Sequence, residues 1–259
     1  MGKRFGLFAL GWALVLVGGL IASLVQTSGG VKIQDIRYPG QGATTFSALL
    51  YVPATATAQH PAPAVLVAHG FINTREMQSP FAIELARRGF VVMAMDMSGH
   101  GFSGGALGEQ AFGGPAALAY LRRLPFVDKS NIGLEGHSLG GAPIVDVALA
   151  FPDGYKALVL EGSTTGVLGQ PGEGTTTFPR NLAVVMGQYD EFAPLMWQMA
   201  KGSDINRSAR LMKIFGTATP VIPGKLYGDI NAGTARLFIN PPLDHPQEHF
   251  SAAGIGAAV

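Results

Sequence analysis

No cysteine occurs among the 259 residues, so the chain holds no disulfide framework, no zinc–thiolate centre and no thiol nucleophile. Charge is scarce, at 14%, and nearly balanced, with 18 basic and 17 acidic side chains and a formal net charge of +1. This balance supplies none of the basic patches or stripes that nucleic acid requires, so no nucleic-acid partner is expected. So little charge beside 47% hydrophobic residues also excludes a disordered chain, which needs the reverse. The 36 glycines and 17 prolines follow no Gly-X-Y period, and therefore mark turns rather than a collagen helix. No internal repeat of solenoid length is visible.

What is present begins with Phe5–Val25, an uncharged run of about 21 residues, enough at ~1.5 Å per residue to cross a ~30 Å hydrocarbon core. Lys3 and Arg4 precede it. Positive-inside bias keeps them in the cytoplasm and puts everything after Gln26 outside. A cleavable signal peptide has a shorter apolar region, about 7–15 residues, and ends at a small-residue site. The region around Ala22-Ser23-Leu24 has no clean site of that kind. The expectation is a membrane anchor carrying an extracytoplasmic domain, with secretion after signal cleavage as the alternative. Residues 1–30 are anchor and linker, the linker being Thr27-Ser28-Gly29-Gly30, and residues 31–259 form one globular domain.

Within that domain, strands and helices alternate. Val31–Tyr38 and Thr44–Val52 are predicted to form an antiparallel pair around Pro39-Gly40-Gln41-Gly42. Ala64–Ala68, Phe90–Met95, Asn131–Glu135, Lys156–Leu160, Leu182–Met186 and Ala235–Ile239 read as further strands, several buried on both faces. A helix is predicted from Ser79 as N-cap and Pro80 as first helical residue to Gly89. Others are predicted over Ala116–Leu124 and Leu139–Ala150, and over Phe192–Phe215 in two pieces broken near Gly202. Ser251 is placed to cap a final helix. This order implies an α/β fold, a mostly parallel sheet with helices on both faces, preceded by one transmembrane helix.

The chemistry is signalled by where a serine sits. Gly-x-Ser-x-Gly occurs at Gly101–Gly105 and again at Gly136–Gly140. Ser103 lies several residues past its strand and runs into more glycine, whereas Ser138 sits between a strand and a helix. A sharp turn there strains the serine and exposes its hydroxyl at the end of a sheet. A hydroxyl needs a base to accept its proton. The only histidines after Ser138 are His245 and His249, both in the loop before the final helix. His245, nearer the last strand, is the expected base and His249 the alternative, which otherwise reads as a surface residue. Asp190, just past a strand, is the expected acid. Glu161 is the alternative and Glu191 an adjacent competitor. The oxyanion donors are expected to be the backbone N–H groups of Leu139 and Phe71. His69 and His137 read as structural.

His69-Gly70-Phe71, Asp96–Ser103, Gly136–Gly141 and Gly187–Asp190 together resemble the α/β-hydrolase superfamily, in the family's order and from about Ala64 to the end of the chain. The segment Leu121–Asp128 is similar to the branch of serine esterases and serine-peptidase-like proteins that includes dienelactone hydrolase and prolyl-oligopeptidase relatives. The resemblance implies an eight-stranded, mostly parallel sheet and a Ser-His-Asp triad. It also implies a loop in which Ser98 stands where the family usually has arginine. The wide spacing of Asp190 and His245 implies an inserted helical cap over residues 192–233. Its Leu195, Met196, Trp197, Met199, Leu211, Met212, Ile214 and Phe215 are expected either to line an acyl pocket or to pack the insert. The final helix is short for the family, as it would be in a piece of a longer protein. The function implied is cleavage of carboxylic esters through an acyl-enzyme, on a small-molecule ester or peptide-like substrate and without metal or cofactor. The alternatives are a serine peptidase or acyltransferase of the same fold, or a non-catalytic hydrolase-like binding protein.

Overall fold

The structure is a computed structural model and describes residues 2–166, 169 and 172–259. The N-terminal helix α1 (Gly2–Gln26) is followed by β1 (Lys32–Pro39) and β2 (Thr45–Val52), the expected antiparallel pair. Next come β3 (Ala62–Ala68), α2 (Ser79–Arg87), β4 (Val91–Met95), α3 (Gly114–Leu121), β5 (Val127–His137), α4 (Gly141–Ala150), β6 (Ala157–Glu161) and β7 (Leu182–Val185). The remainder holds α5 (Ala193–Trp197), α6 (Ala209–Phe215), β8 (Leu226–Tyr227), β9 (Arg236–Ile239), α7 (Gln247–Phe250) and α8 (Ala252–Ala258). Among the described residues one sheet joins all nine strands in the order β1-β2-β4-β3-β5-β6-β7-β9-β8, with β4, β3, β5, β6, β7 and β9 parallel.

Strands β3 and β4 are apolar throughout because both faces are covered. Leu66 and Met93 point into the cluster that contains α3 and α4, while Val65, Val67, Val92 and Ala94 point into the one that contains α2. Successive side chains alternate between faces, so a run without polar residues is what a doubly covered strand requires. On the α2 side, α7 and α8 pack beside α2, and α8 is capped as expected, the Ser251 hydroxyl accepting from Gly254 N–H at 2.9 Å.

The structure departs from the sequence reading at several boundaries. The sheet has nine strands rather than eight, because the short antiparallel β8 lies on its edge within the segment expected to be cap. Ser79 is not the N-cap of α2. A 3-10 turn over Arg75–Gln78 precedes it, and the Ser79 hydroxyl instead meets the Tyr51 hydroxyl at 2.9 Å. Helix α3 starts at Gly114, earlier than expected, and ends at Leu121. The stretch predicted as two helical pieces is three, α5, a 3-10 turn over Gly202–Arg207, and α6. Within it Trp197, Leu211, Ile214 and Phe215 are buried in the main core, so most of the insert's large apolar residues serve packing.

Ahead of the domain, Arg4–Gln26 forms an apolar helix of 23 residues with none of its length buried. At ~1.5 Å per residue it is long enough to span a bilayer. Of the expected anchor, Met1 lies outside the described residues.

Candidate active site

Ser138, Asp190 and His245 each stand just beyond the carboxyl end of a parallel strand, after β5, β7 and β9. Ser138 opens the 3-10 turn Ser138–Gly140 that leads into α4, and its φ of 54° lies in the left-handed region that a side chain resists. The flanking glycines make that turn possible. A Cβ on Gly136 would run into the Gly140 carbonyl, and one on Gly140 into the carbonyl oxygens of Ala68 and His69. Neither neighbour can give way, because both are backbone. The Ser163 hydroxyl donates to the Ser138 carbonyl at 2.6 Å and fixes the turn from the β6 side.

His245 Nδ1 lies 2.7 Å from Asp190 Oδ2. A carboxylate can only accept, so in this contact the ring donates from Nδ1 to Asp190. Asp190 is buried, and its Oδ1 accepts the Phe192 N–H at 2.7 Å. Glu191 receives the His245 backbone N–H at 3.3 Å and does not touch the ring nitrogens. Ser138 and His245 line one cavity.

The alternative candidates are placed differently. Glu161 is buried at the end of β6, and both its carboxyl oxygens lack a hydrogen-bond partner among the described residues. Burial, then the neighbouring Glu135 and Glu248, pushes it well above the usual carboxylate range. His249 is not a surface residue. It is buried, its ring 3.8 Å from that of His137 and 5.7 Å from that of Phe81, and neither ring nitrogen has a partner among the described residues. Burial, then His245, lowers it to about 4. Without a carboxylate to orient it, His249 lacks the support that His245 has.

One residue that sequence reasoning missed stands at the centre of this cluster. Glu248, fully buried, accepts the Gly187 N–H at 2.7 Å, meets His137 Nε2 at 3.2 Å and lies 3.6 Å from His245 Nδ1. Burial, then the Asp190 carboxylate beside it, drives its carboxyl well above the usual range. The signal for it was the three-residue spacing in His245-Pro-Gln-Glu248, where the turn into α7 brings the two side chains together. Ligand-capable atoms of His137, His245 and Glu248 fall within 4.8 Å of one another, a spacing a cation accepts. Those atoms already face each other and Asp190, which gives each a partner without one.

The turn after β3 presses against Ser138, since a Cβ on Gly70 would stand 3.1 Å from Ser138 Cβ. Phe71 and Leu139 both line the cavity beside Ser138. His69 is buried, accepting the Met97 N–H on Nε2 at 3.1 Å, which leaves Nδ1 to donate to Gly70 O at 2.8 Å. Burial first lowers it to about 4, so it is a neutral structural link between two loops. Ser103 is tied up on the Asp96 loop, donating to Asp96 O and accepting Ser47 N–H, both at 2.9 Å. Where the resemblance leads to an expected arginine, Ser98 is buried and the guanidinium near Asp96 comes from Arg75, 3.7 Å away.

The cavity has a volume of about 660 Å³. Its wall is made largely of Phe71, Ile72, Leu107, Phe112, Leu195 and Met196, and no Lys, Arg, Asp or Glu is among the described residues lining it. Of the insert, only Phe192, Leu195 and Met196 reach it.

A sequence profile described as the alpha/beta hydrolase fold matches residues 63–195, half of the chain. The chain belongs to this family. No curated protein matches the sequence significantly. Among solved structures, a bacterial heroin esterase is similar with a TM-score of 0.63 at 18% identity, covering 95% of this chain and 88% of its own. A dienelactone hydrolase-like promiscuous phosphotriesterase from metagenomic libraries has a TM-score of 0.57 at 20% identity, covering 83% of each chain. An esterase of Pyrococcus furiosus has a TM-score of 0.57 at 15% identity, covering 83% of this chain and 85% of its own. At such identities the likeness is one of fold. The alpha/beta hydrolase match covers β3 to α5, and so includes Ser138 and Asp190 but stops before His245.

Proposed function

We propose that this alpha/beta hydrolase fold protein is a serine hydrolase that cleaves carboxylic esters with an uncharged, apolar acyl group. The observation that carries the reading is the strained Ser138, which opens into the same apolar cavity as a histidine held by Asp190 at 2.7 Å. Ser138 Oγ attacks the ester carbonyl carbon while His245 Nε2 takes the hydroxyl proton. Asp190 stabilises the imidazolium that forms. The backbone N–H groups of Leu139 and Phe71 receive the developing oxyanion. Collapse expels the alcohol, which takes the proton back from His245. Water, deprotonated by the same ring, then cleaves the acyl-enzyme and releases the acid and Ser138.

The uncharged wall favours esters over the other chemistry open to the same triad. A peptidase that reads a terminal ammonium or carboxylate needs an opposite charge in its pocket. Here the described lining is mostly aromatic and aliphatic and carries no Lys, Arg, Asp or Glu. The test is a fluorophosphonate probe, which labels only an activated serine, combined with p-nitrophenyl esters of graded chain length and aminoacyl anilides. Ser138→Ala should lose both labelling and ester cleavage, and Ser103→Ala should keep them. Labelling that survives in Ser138→Ala and vanishes in Ser103→Ala would overturn the assignment, as would preference for the anilides.

A further inference from the structure

The strand registers fix where α1 joins the domain relative to the cavity. Ala64 pairs with Val91 on one side and with Ile132 on the other, so these three residues share one level of the sheet. Tyr51 pairs with Val92, which puts Val52 level with Val91, and Val52 pairs with Lys32. The chain therefore enters the sheet from α1 at the end where the parallel strands begin. Ser138 lies six residues beyond Ile132 along β5, about 20 Å further at ~3.3 Å per residue. The anchor joint and the cavity are at opposite ends of the sheet.

The joint is also held in place. Val31 is buried against α2, and Arg87 at the end of α2 donates to the Val25 carbonyl and to the Ser28 hydroxyl. Only Thr27–Gly30 separates α1 from buried chain, and four residues reach at most about 14 Å when fully extended. That falls short of the ~20 Å to Ser138, so while Val31 stays buried α1 leaves the domain at the end away from the cavity. Yet the cavity's rim is apolar and wet, with Ile72 81% and Leu195 55% exposed.

We infer that the cavity opens into water on the side facing away from the membrane that α1 spans, and takes apolar esters that arrive through water rather than esters resident in that membrane. This deepens the esterase reading and rests on it, and on α1 being retained.

Because the chain has no cysteine, single thiols can report its orientation. Ile72→Cys and Lys32→Cys, each carrying the same fluorophore, are reconstituted as full chains in phosphatidylcholine vesicles containing nitroxide lipids. The Lys32 position should be quenched strongly by the nitroxide lipids and the Ile72 position several-fold less. Equal or stronger quenching at Ile72, or a chain that does not float with the vesicles, overturns the inference. The unlabelled full chain is then given 4-methylumbelliferyl butyrate in water, and the oleate dissolved either in its own vesicles or in enzyme-free ones. The butyrate should be cleaved, and the oleate should be cleaved no faster in the enzyme's own vesicles. A gain of ~10-fold or more there, the signature of a raised local concentration, refutes the inference even if the butyrate is cleaved. Failure on the butyrate with the quenching pattern as expected refutes the esterase reading and leaves the geometry standing.

Discussion

Glu248 Oε2 lies 3.6 Å from His245 Nδ1, the nitrogen that Asp190 meets at 2.7 Å. Two carboxyl groups so close and so buried do not both ionise cheaply, and the second one keeps its proton. The raised Glu248 therefore holds its proton to higher pH than an ordinary carboxyl does, while Asp190 meets the ring. Glu248→Gln preserves shape, the acceptor for Gly187 N–H and neutrality. Its kcat/KM at pH 7 should stay within roughly threefold of the parent, a change under ~1 kcal/mol. The profiles should diverge only where the parent's Glu248 gives up its proton, at higher pH than an ordinary carboxyl. Glu248→Ala strands the Gly187 N–H and opens a hole, and should cost on the order of 1–3 kcal/mol of stability. A pH-independent loss of several orders of magnitude in the glutamine variant would show that the charged form is required.

The two histidines should separate cleanly by kinetics. His245→Ala removes a proposed triad member and should lower kcat by about 10⁴-fold or more, with KM little changed. His249→Ala removes a buried ring that packs on His137 and Phe81, so its effect should fall mainly on stability. The acids should divide in the same way, Asp190→Asn being severe and Glu161→Gln active. If Glu161→Gln is the inactive one, the acid has been misplaced on the sheet.

Glu135, on the central β5, predicts a pH-dependent stability. It is buried without a hydrogen-bond partner among the described residues, and desolvation raises it from 4.5 to about 8. Between those values the unfolded carboxyl has lost its proton and the folded one has kept it. The folded state binds more protons, so stability falls as pH rises through this window. Glu135→Gln removes the ionisation. Thermal unfolding of the full chain in detergent should find the two proteins similar at pH 4. By pH 7.5 the variant should be the more stable, by on the order of 3 kcal/mol. A variant no more stable at pH 7.5 than at pH 4, relative to the parent, would mean that Glu135 already ionises at its ordinary value.

The parts of this site that could be read in the sequence are those that local backbone chemistry enforces. Ser138 was legible because a serine in a left-handed turn needs glycine on both sides, and only one of the two matching motifs lies between a strand and a helix. Asp190 and His245 were legible from their places just after apolar strands. Glu248 was not, because beyond the nearby His245 its partners come from elsewhere in the chain, His137 at 111 residues' separation and Gly187 at 61. For the same reason His249 looked exposed. Its burial depends on α7 packing beside α2, which no local pattern encodes. The two-residue β8 is too short for any alternation of polar and apolar residues to show.

The cavity wall makes the last prediction, which concerns chain length. If the acyl group lies against Phe71, Phe112, Leu195 and Met196, each added methylene leaves water for apolar surface. Such a transfer is worth about 0.8 kcal/mol, or roughly a fourfold gain in kcat/KM per methylene. The gain should continue along a series of p-nitrophenyl esters until the cavity of about 660 Å³ is filled, and then stop. Leu195 is the place to test this, because it lines the cavity yet is 55% exposed, so a polar residue there does not endanger the core. Leu195→Asp puts a carboxylate where the chain would pass, and it cannot be desolvated without a large cost. The variant should handle the acetate ester nearly as well as the parent, and its gain per methylene should shrink or vanish. A parent that shows no gain from acetate onward would place the acyl chain outside this cavity. A variant with an unchanged slope would place it against the opposite wall, away from the insert.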